Sequence, residues 1–362
     1  MYDFVIIGAG MAGASLAAEL VRDADVLVVE AEESAGYHTT GRSAAFWEAC
    51  YGGPQIAPLT LASEEPLRDG GFLTQRGALY IGRRDDGDEL SAFRRRFAEA
   101  DISLEPQDRA GLKARVPGLD RDWSEGLWEP CCADIDVAAL HQHYLRAAKR
   151  DGAALRLKTR IAAIERRDDV WHLISESGEQ FRCRTLVNAG GAWADGIAEL
   201  AGTKALGIAP LLRTVVALET DPAPLADMPL VLDVNGAFYF KPDAGRLWLS
   251  PHDETPSHPH DAAPEELAVA QAIATLETVV DWRVRSIVRS WAGLRSFAPD
   301  RLPVFGMDVR VPDFAWFAGQ GGSGIQTAPA AAMLMANLLL NRAPSPSIAH
   351  IDAATFDPIR FN

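Results

Sequence analysis

The sequence of 362 residues contains few cysteines and no long apolar run. Its four cysteines, Cys50, Cys131, Cys132 and Cys183, have no CxxC spacing, which favours reduced thiols over a disulfide framework. The nearest approach to a membrane span is residues 333–340, far short of the ~20 apolar residues that a crossing needs. The opening apolar run lacks the basic segment of a secretory signal. We therefore expect a cytoplasmic protein with no integral membrane segment.

Basic charge is also scarce. The 35 lysines and arginines are outnumbered by 50 acidic residues, so the formal net charge is −15 at pH 7. Because the basic residues are scattered, neither nucleic acid nor an anionic membrane is expected as a partner. The histidines form no HExxH or similar ligand set, and His141 and His143 are predicted to be surface residues, so no metal is expected. An acidic chain repels anions, so a carboxylate substrate would need local arginines.

The first strong motif lies in residues 3–30, DFVIIGAGMAGASLAAELVRDADVLVVE. An apolar run enters a glycine turn, a helical segment follows, and a second apolar run ends on Glu30, which predicts a βαβ unit. Gly8 makes the tight turn, Gly10 leaves room for a pyrophosphate, and Gly13 lets helix and sheet approach closely. Glu30 lies 22 residues after Gly8, near the ~20 expected for a carboxylate that binds an adenosine ribose. The unit predicts a dinucleotide site.

Glycine-rich stretches and β patterns alternate along the rest of the chain. The segment after Glu30 is rich in glycine and hydroxyl donors suited to wrapping a cofactor. Residues 65–134 are predicted to contain a strand, a charged helix and a loop-rich passage, and residues 161–184 three short antiparallel strands. Residues 208–290 show a β pattern with one helix, typical of a sheet that forms a wall for a ligand. The end, from residue 314, is a strand, a glycine loop and a long helix.

Three signatures, GAGMAG…VVE, GYHTTGRSAAFWEACYG and FAGQGGSGIQTAPA, together resemble the D-amino acid oxidase (DAO) superfamily of FAD-dependent amine oxidoreductases. Among its members the sequence is most similar to bacterial D-arginine dehydrogenase. The resemblance implies an α/β fold in which a Rossmann-like FAD-binding domain is interleaved with an α+β substrate-binding domain built on a mostly antiparallel sheet. The FAD-binding domain would comprise residues 1–64, 137–205 and 291–362, and the substrate-binding domain residues 65–136 and 206–290.

The resemblance also assigns residues to the site. It implies that FAD contacts Gly8, Gly10, Ala12, Gly13, Glu30, Ala31, Thr39, Thr40, Gly41, Arg42, Ser43, Ala44, Ala45, Phe46, Ala189, Gly190, Gly321, Gly322, Ser323, Gly324, Ile325 and Gln326. It implies that the substrate carboxylate is bound by two arginines and two tyrosines, Arg213, Arg295, Tyr51 and Tyr239. Chemistry supports the second group, because a guanidinium binds a carboxylate bidentately and tyrosine hydroxyls add neutral donors.

Two differences from D-arginine dehydrogenase bear on the substrate. A histidine of that enzyme's active site is Phe46 here, and the acidic residue that meets the substrate guanidinium is replaced by Ala78. Without that carboxylate, a buried cationic side chain would lack its partner. We therefore expect a neutral, apolar side-chain pocket with walls formed by Phe46, Trp47, Tyr80 and Met228.

The implied function is oxidation of a D-amino acid to the 2-imino acid by hydride transfer from Cα to flavin N5, followed by hydrolysis to a 2-oxo acid and ammonia. The expected partners are the amino acid and an electron acceptor, either a quinone, a dye or oxygen. Three alternatives stay open. The flavin site could serve an L-2-hydroxy acid, sarcosine or glycine, the protein could bind flavin without catalysis, or it could be a nicotinamide dehydrogenase that uses the opening motif alone.

Overall fold

The computed structural model describes residues 1–100 and 102–362. Its α-helices are α1 (Met11–Leu20), α2 (Ala57–Asp69), α3 (Gly87–Arg96), α4 (Arg109–Arg115), α5 (Val137–Arg150), α6 (Ala194–Leu200), α7 (Glu266–Val279) and α8 (Ala328–Leu339). Its strands are β1 (Tyr2–Ile7), β2 (Val26–Val29), β3 (Phe46–Trp47), β4 (Leu73–Gln75), β5 (Ala78–Arg83), β6 (Glu105–Gln107), β7 (Trp123–Glu129), β8 (Ala133–Ile135), β9 (Ala154–Arg156), β10 (Ile161–Arg167), β11 (Val170–Ser175), β12 (Gln180–Asn188), β13 (Ala209–Asp221), β14 (Leu230–Asp233), β15 (Tyr239–Asp243), β16 (Arg246–Ser250), β17 (Thr255–Pro256), β18 (Arg283–Phe297), β19 (Val304–Met307), β20 (Phe314–Ala318) and β21 (Gln320–Gly321).

The first large sheet contains the opening βαβ unit. Its strand order is β10-β11-β12-β1-β2-β9, with β20 paired to β12 and β19 to β20. The pairs of β1 with β12 and β2, of β2 with β9, and of β12 with β20 are parallel. Phe4 and Ile6 of β1 pack in one core with α1, α5 and α8, whereas Val5 and Ile7 pack in a second core on the opposite face. Because both faces are buried, these strands are continuous apolar runs.

The second large sheet is mostly antiparallel. Its order is β21-β18-β13-β16-β15-β14-β5-β7-β6, with β17 beside β13, and only the contact of β14 with β5 is parallel among the described residues. The long strands β13 and β18 pair along almost their full length. A third, small sheet has the strand order β3-β8-β4. The predicted α/β fold class is confirmed.

Several elements differ from the sequence prediction. The passage predicted to be rich in loops contains α4, β6 and β7. Pro106 lies in β6, where it is tolerated because β6 is the edge strand of its sheet. Helix α2 was not predicted, since Pro66 lies inside it and proline ordinarily interrupts a helix. His141 was predicted to be on the surface, and this is wrong: it is 5% exposed, with Nε2 2.9 Å from the carbonyl oxygen of Ala9.

The sheets draw on separated parts of the chain. The first sheet uses strands from residues 2–29, 154–188 and 304–318, and the second uses strands from residues 78–129, 209–297 and 320–321. One strand, β18, runs without a break across residue 291, where a domain boundary was predicted. The division into two domains at the predicted boundaries remains a proposal. None of the described helices is long and apolar enough to cross a membrane.

Candidate active site

A cleft of about 480 Å³ opens where the parallel strands of the first sheet end. Its walls include residues that directly follow β1, β2 and β12, namely Gly8, Glu30 and Ala189. In open α/β sheets, ligands bind in the crevice beyond the carboxyl ends of the strands. The volume lies within the range of about 300–1,000 Å³ that is usual for ligand pockets. The topology therefore places the main ligand site here.

The turn after β1 requires its glycines, because backbone segments lie very close together. Gly8 has a φ of 107°, and a Cβ at this position would lie 2.5 Å from the carbonyl oxygen of Ala189. A Cβ at Gly13 would lie 1.9 Å from the carbonyl oxygen of Gly8. Helix α1 begins directly after Gly10, and no side chain of Gly10 can cap it. The helix N-terminus therefore offers the cleft a site for an anionic group.

The carboxylate of Glu30 is fixed at the edge of the same cleft. Its Oε2 accepts a hydrogen bond from the backbone N–H of Ala9 at 2.8 Å, and its Oε1 accepts one from the N–H of Glu32 at 3.0 Å. Each carboxylate oxygen has a further lone pair. Glu30 can thus accept hydrogen bonds from the hydroxyls of a bound ribose without moving.

The loop between β20 and α8 joins the cleft to a second cavity. A Cβ at Gly322 would lie 2.1 Å from the hydroxyl of Tyr51 and 2.9 Å from Nη1 of Arg295, so only glycine fits. The buried side chain of Gln326 accepts a hydrogen bond from the N–H of Glu48 and donates one to Oγ1 of Thr60 at 2.9 Å. The third signature is therefore packed directly against the second.

The second cavity is small, about 70 Å³. It shares Thr39, Ser43, Arg295, Gly322 and Ile325 with the large cleft, so the two spaces meet. Its remaining walls come from the second signature, from the second sheet and, for Gln326, from the third signature: Arg42, Ala44, Ala45, Phe46, Tyr51, Arg213, Val215, Tyr239, Gly293 and Gln326. A molecule in this cavity would therefore lie next to a ligand in the large cleft.

Two buried arginines line the small cavity from neighbouring strands. Arg213 of β13 pairs with Gly293, and Arg295 of β18 pairs with Leu211, so both side chains lie on one face of the sheet. They are 7% and 8% exposed. Nη1 of Arg295 donates to the hydroxyl of Tyr51 at 2.6 Å, while its Nε is buried without a partner. The sequence-predicted arginines are thus brought together, although 82 positions separate them.

A carboxylate that the sequence analysis missed lies beside these arginines. Oε1 of Glu254 is 2.8 Å from Nη2 of Arg295, 2.8 Å from Nη2 of Arg301 and 3.5 Å from Nη2 of Arg213. The neighbouring Asp253 accepts hydrogen bonds from the N–H and the hydroxyl of Thr214, both at 2.8 Å. No motif marks either acid, because their roles depend on where the segment after β16 crosses β13.

The tyrosines and the histidine of this region are neutral. Burial raises the pKa of the hydroxyls of Tyr51 and Tyr239, and the nearby Arg213 only partly opposes this effect. Burial, together with the positive charge of Arg213, lowers the pKa of His252 to about 4. Nδ1 of His252 lies 2.7 Å from the carbonyl oxygen of Gly236, which fits a neutral ring that donates through this nitrogen. At neutral pH the tyrosines are therefore hydrogen-bond donors beside the arginines.

Behind Phe46 lies a pair of fully buried carboxyl groups, Glu48 and Glu129. Oε1 of Glu48 accepts from the N–H of Cys50 and from the hydroxyl of Tyr80, and Oε1 of Glu129 accepts from the N–H of Ala49. The Oε2 atom of each is buried without a hydrogen-bond partner. Burial and the neighbouring Glu129 raise the pKa of Glu48 well above its usual range.

This pair was also missed from the sequence. The ligand atoms of Glu48, Cys50 and Glu129 all lie within 4.8 Å of one another. A proton or a metal ion between the two carboxyls would satisfy the free oxygens. Nothing in the sequence pattern links residues 48 and 129, which meet only because the third sheet and the second sheet pack together.

Most of the residues predicted to contact FAD line the large cleft: Gly8, Gly10, Ala12, Glu30, Ala31, Thr39, Thr40, Ser43, Ala189, Gly190, Gly321, Gly322, Gly324 and Ile325. Others line the small cavity: Arg42, Ala44, Ala45, Phe46 and Gln326. Gly13, Gly41 and Ser323 line neither space. Gly13 and Gly41 allow close backbone packing, and the hydroxyl of Ser323 bonds the carbonyl oxygen of Gln320.

The predicted pocket walls need a correction. Phe46 lines the small cavity, as expected. Trp47 is fully buried in the core, where its Nε1 donates to the carbonyl oxygen of Thr60. Tyr80 and Met228 are also core residues, 5% and 1% exposed. The pocket is therefore narrower than the sequence suggested, because three of the four expected walls belong to the packing behind it.

Comparisons with known proteins agree with this geometry. Residues 3–338 match the family model described as DAO, FAD dependent oxidoreductase. Among curated proteins, the chain is 25% identical to hydrogen cyanide synthase subunit HcnC of Pseudomonas aeruginosa over 297 residues, covering 79% of this chain and 69% of that subunit. The chain spans about half the length of other curated relatives that it matches.

Two solved structures share the whole fold. Glycine oxidase from Geobacillus kaustophilus superimposes with a TM-score of 0.85 at 22% identity, covering 98% of each chain. L-proline dehydrogenase from P. horikoshii gives a TM-score of 0.86 at 22% identity, covering 99% of this chain and 97% of that one. Particular closeness to D-arginine dehydrogenase is not shown by these matches.

The chain belongs to the DAO family of FAD-dependent oxidoreductases. It is therefore an FAD-dependent oxidoreductase. The residues present fit the cofactor, since the cleft has a volume of about 480 Å³, its glycine turn leaves no room for a Cβ at Gly8, and Glu30 presents a fixed carboxylate. The glycine turn would hold the pyrophosphate and Glu30 the adenosine ribose.

Proposed function

We propose that this enzyme oxidises a small, neutral D-amino acid to the 2-imino acid, which water hydrolyses to a 2-oxo acid and ammonia. The observation that carries the proposal is the pair of buried arginines, Arg213 and Arg295, in a cavity of about 70 Å³ that meets the cofactor cleft. The D configuration is carried over from the family resemblance. The electron acceptor, a quinone, a dye or oxygen, is left open by the proposal.

The residues of the cavity would act mainly by positioning the substrate. Arg213 and Arg295 would bind the carboxylate, and the neutral hydroxyls of Tyr51 and Tyr239 would donate further hydrogen bonds. Fixing the carboxylate fixes Cα relative to the cleft, and such orientation is worth several kcal/mol of the barrier, about 7–11 kcal/mol in the most favourable systems. When bound, FAD would supply the acceptor for the hydride, which leaves Cα with its electron pair.

The walls of the small cavity contain no carboxylate and no imidazole among the described residues. The substrate amine must therefore lose its proton to solvent before oxidation instead of to a protein base. We expect kcat/KM to rise with pH through the ionisation of the amine, as measured in steady-state assays across the neutral and alkaline range. A flat profile would contradict the requirement for a deprotonated substrate amine.

The size of the cavity favours the smallest side chains. Three aromatic rings, Phe46, Tyr51 and Tyr239, surround it, with centroid separations of 5.9 Å between Phe46 and Tyr51 and 5.7 Å between Phe46 and Tyr239. D-Alanine suits this space better than D-leucine, D-phenylalanine or D-methionine. The same volume favours glycine as a second candidate, because glycine needs no room beyond Cα.

Anaerobic reduction of the bound flavin tests the proposal. The holoenzyme is mixed with D-alanine, L-alanine, glycine, D-leucine and D-arginine, and bleaching of the visible flavin band is followed. D-Alanine should bleach the flavin fastest, and D-arginine should be slow because Ala78 supplies no partner for its charge. Faster bleaching by glycine would select the second candidate, and no bleaching by any amino acid would overturn the proposal.

A further inference from the structure

Glu254 connects three guanidinium groups at the rim of the small cavity. A single oxygen, Oε1, lies within 4 Å of Nη2 of Arg213, Arg295 and Arg301. Its side chain is 35% exposed, whereas the side chains of Arg213 and Arg295 are 8% and 9% exposed. The carboxylate therefore covers the outer side of the buried arginine pair, between that pair and solvent.

The protein already uses much of the donor capacity of these arginines. For Arg295, Nη1 bonds Tyr51 and Nη2 bonds Glu254, which leaves Nε buried without a partner. For Arg213, Nε donates to the carbonyl oxygen of Asp253 at 2.9 Å and Nη2 to that of His252 at 3.2 Å. The guanidinium planes are thus fixed from outside, and the donors left for a ligand are few.

The net charge of the side chains around the cavity also limits how many carboxylates a ligand can carry. Three guanidiniums, those of Arg213, Arg295 and Arg301, face two carboxylates, those of Asp253 and Glu254. Arg42, the other arginine of the cavity, is paired with Asp261. The group therefore carries one positive charge in excess. One bound carboxylate neutralises it, and a second carboxylate on the same ligand would be desolvated beside Glu254 with no partner.

We propose that Glu254 is a specificity-determining residue that restricts the site to monocarboxylates. The inference deepens the proposed function, and it rests on that function only for the identity of the cavity as the substrate site. Glu254 acts through the arginines, by fixing their side chains and by cancelling one of their charges, and it repels the second acid group of a dicarboxylate ligand.

Binding of simple anions tests this without turnover. The probes are acetate and malonate, titrated into the FAD-loaded protein while the visible flavin spectrum is followed. The variant is Glu254→Gln, which keeps the shape and removes the charge. Asp243→Asn is the matched control, because Asp243 ends β15 of the second sheet, its side chain is 37% exposed, and it lies beside Lys241 instead of the arginine pair.

Wild-type protein and Asp243→Asn should both bind acetate more tightly than malonate. In Glu254→Gln, the affinity for malonate should rise about tenfold relative to that for acetate, as expected for one charge removed at close range from a partly exposed site. Equal tightening of both anions would mean that Glu254 merely fills the empty site and is displaced, which would overturn the proposal. An equal change in Asp243→Asn would also overturn it, because the effect would then be long-range.

Failure of this test and failure of the proposed function are distinguishable. If acetate perturbs the flavin and malonate selectivity changes as expected, the assignment of Glu254 stands even where no D-amino acid bleaches the flavin. If D-alanine bleaches the flavin and the anion selectivity does not change, the proposed function stands and the role of Glu254 is wrong.

Discussion

The cofactor cleft and the small cavity are built in different ways. The cleft is made from short segments at strand ends, in which glycines such as Gly8 allow a close approach of the backbone. The small cavity is made from side chains that come from residues 39–51, 213–239 and 293–326 and meet only in the folded chain. The comparison teaches that close backbone packing shapes the cofactor cleft, whereas charged and aromatic side chains shape the small cavity.

Replacing Arg295 should have the largest effect, because it should impair the small cavity and leave the cofactor cleft intact. Arg295→Met should lower kcat/KM for D-alanine by at least about a hundredfold, because charge-assisted hydrogen bonds are worth about 1.5–3 kcal/mol each. FAD should stay bound, as judged by the visible spectrum after gel filtration. Arg301→Met is the control, since Arg301 also contacts Glu254 but its side chain is 51% exposed, and it should have a much smaller effect. Equal losses of kcat/KM in both variants would show that Arg295 does not bind the substrate.

Gly322 lines both the cofactor cleft and the small cavity, so a substitution there tests whether the two spaces are in fixed contact. In Gly322→Ala, the added methyl would push against the hydroxyl of Tyr51 and against Arg295. We expect kcat/KM to fall by roughly tenfold to a hundredfold, because small displacements of a positioning group are costly. Gly87→Ala is the control, since a Cβ there would meet nothing closer than 3.5 Å. Unchanged kinetics in Gly322→Ala would argue against a fixed contact.

A substitution at Glu30 should affect only the cofactor cleft. Glu30→Ala removes a charged acceptor, so the affinity of the apoprotein for FAD should fall by about tenfold, measured by fluorescence titration. Turnover at saturating FAD should change little, because Glu30 does not line the small cavity. The exposed Glu33, replaced by alanine, is the control, with a side chain that is 72% exposed. Loss of turnover at saturating FAD would contradict the separation of roles.

The sequence predicted the cleft better than the cavity for a physical reason. Residues 3–30 carry turn chemistry and apolar periodicity within one short segment, so local rules suffice. Arg213 and Arg295 were found through a family resemblance, and Glu254 was missed because no local pattern marks a loop acid that meets arginines from two strands. Helix α2 was missed since Pro66 contradicts the local rule, and packing against α8 overrides it.

The buried pair behind the cavity gives the smallest predicted effect. If Glu48 and Glu129 share a proton, the folded protein binds a proton that the unfolded chain releases above a pKa of about 4.5. Because the pKa of Glu48 is raised in the folded protein, the bound proton contributes to the free energy of unfolding. This contribution is fully present below the unfolded pKa and is lost as pH rises through the folded pKa. The Tm should therefore fall by several degrees from mildly acidic to alkaline pH.

Glu129→Gln should weaken this pH dependence, because it removes the neighbouring acid and its amide N–H can donate to Glu48, while burial still raises the pKa of Glu48. Thermal unfolding of wild type and variant across pH provides the measurement. A dependence that is the same in both proteins would exclude the shared proton. A stoichiometric metal found by elemental analysis of the purified protein would assign the free oxygens to an ion instead.

The most direct measurement is a crystal structure of the FAD-loaded protein with acetate. The account predicts the flavin ring at the inner end of the large cleft and the acetate oxygens within hydrogen-bonding distance of Arg213 and Arg295 in the small cavity. Acetate bound elsewhere, or a flavin ring that does not reach the small cavity, would contradict the central claim that these two arginines hold the substrate acid against the cofactor.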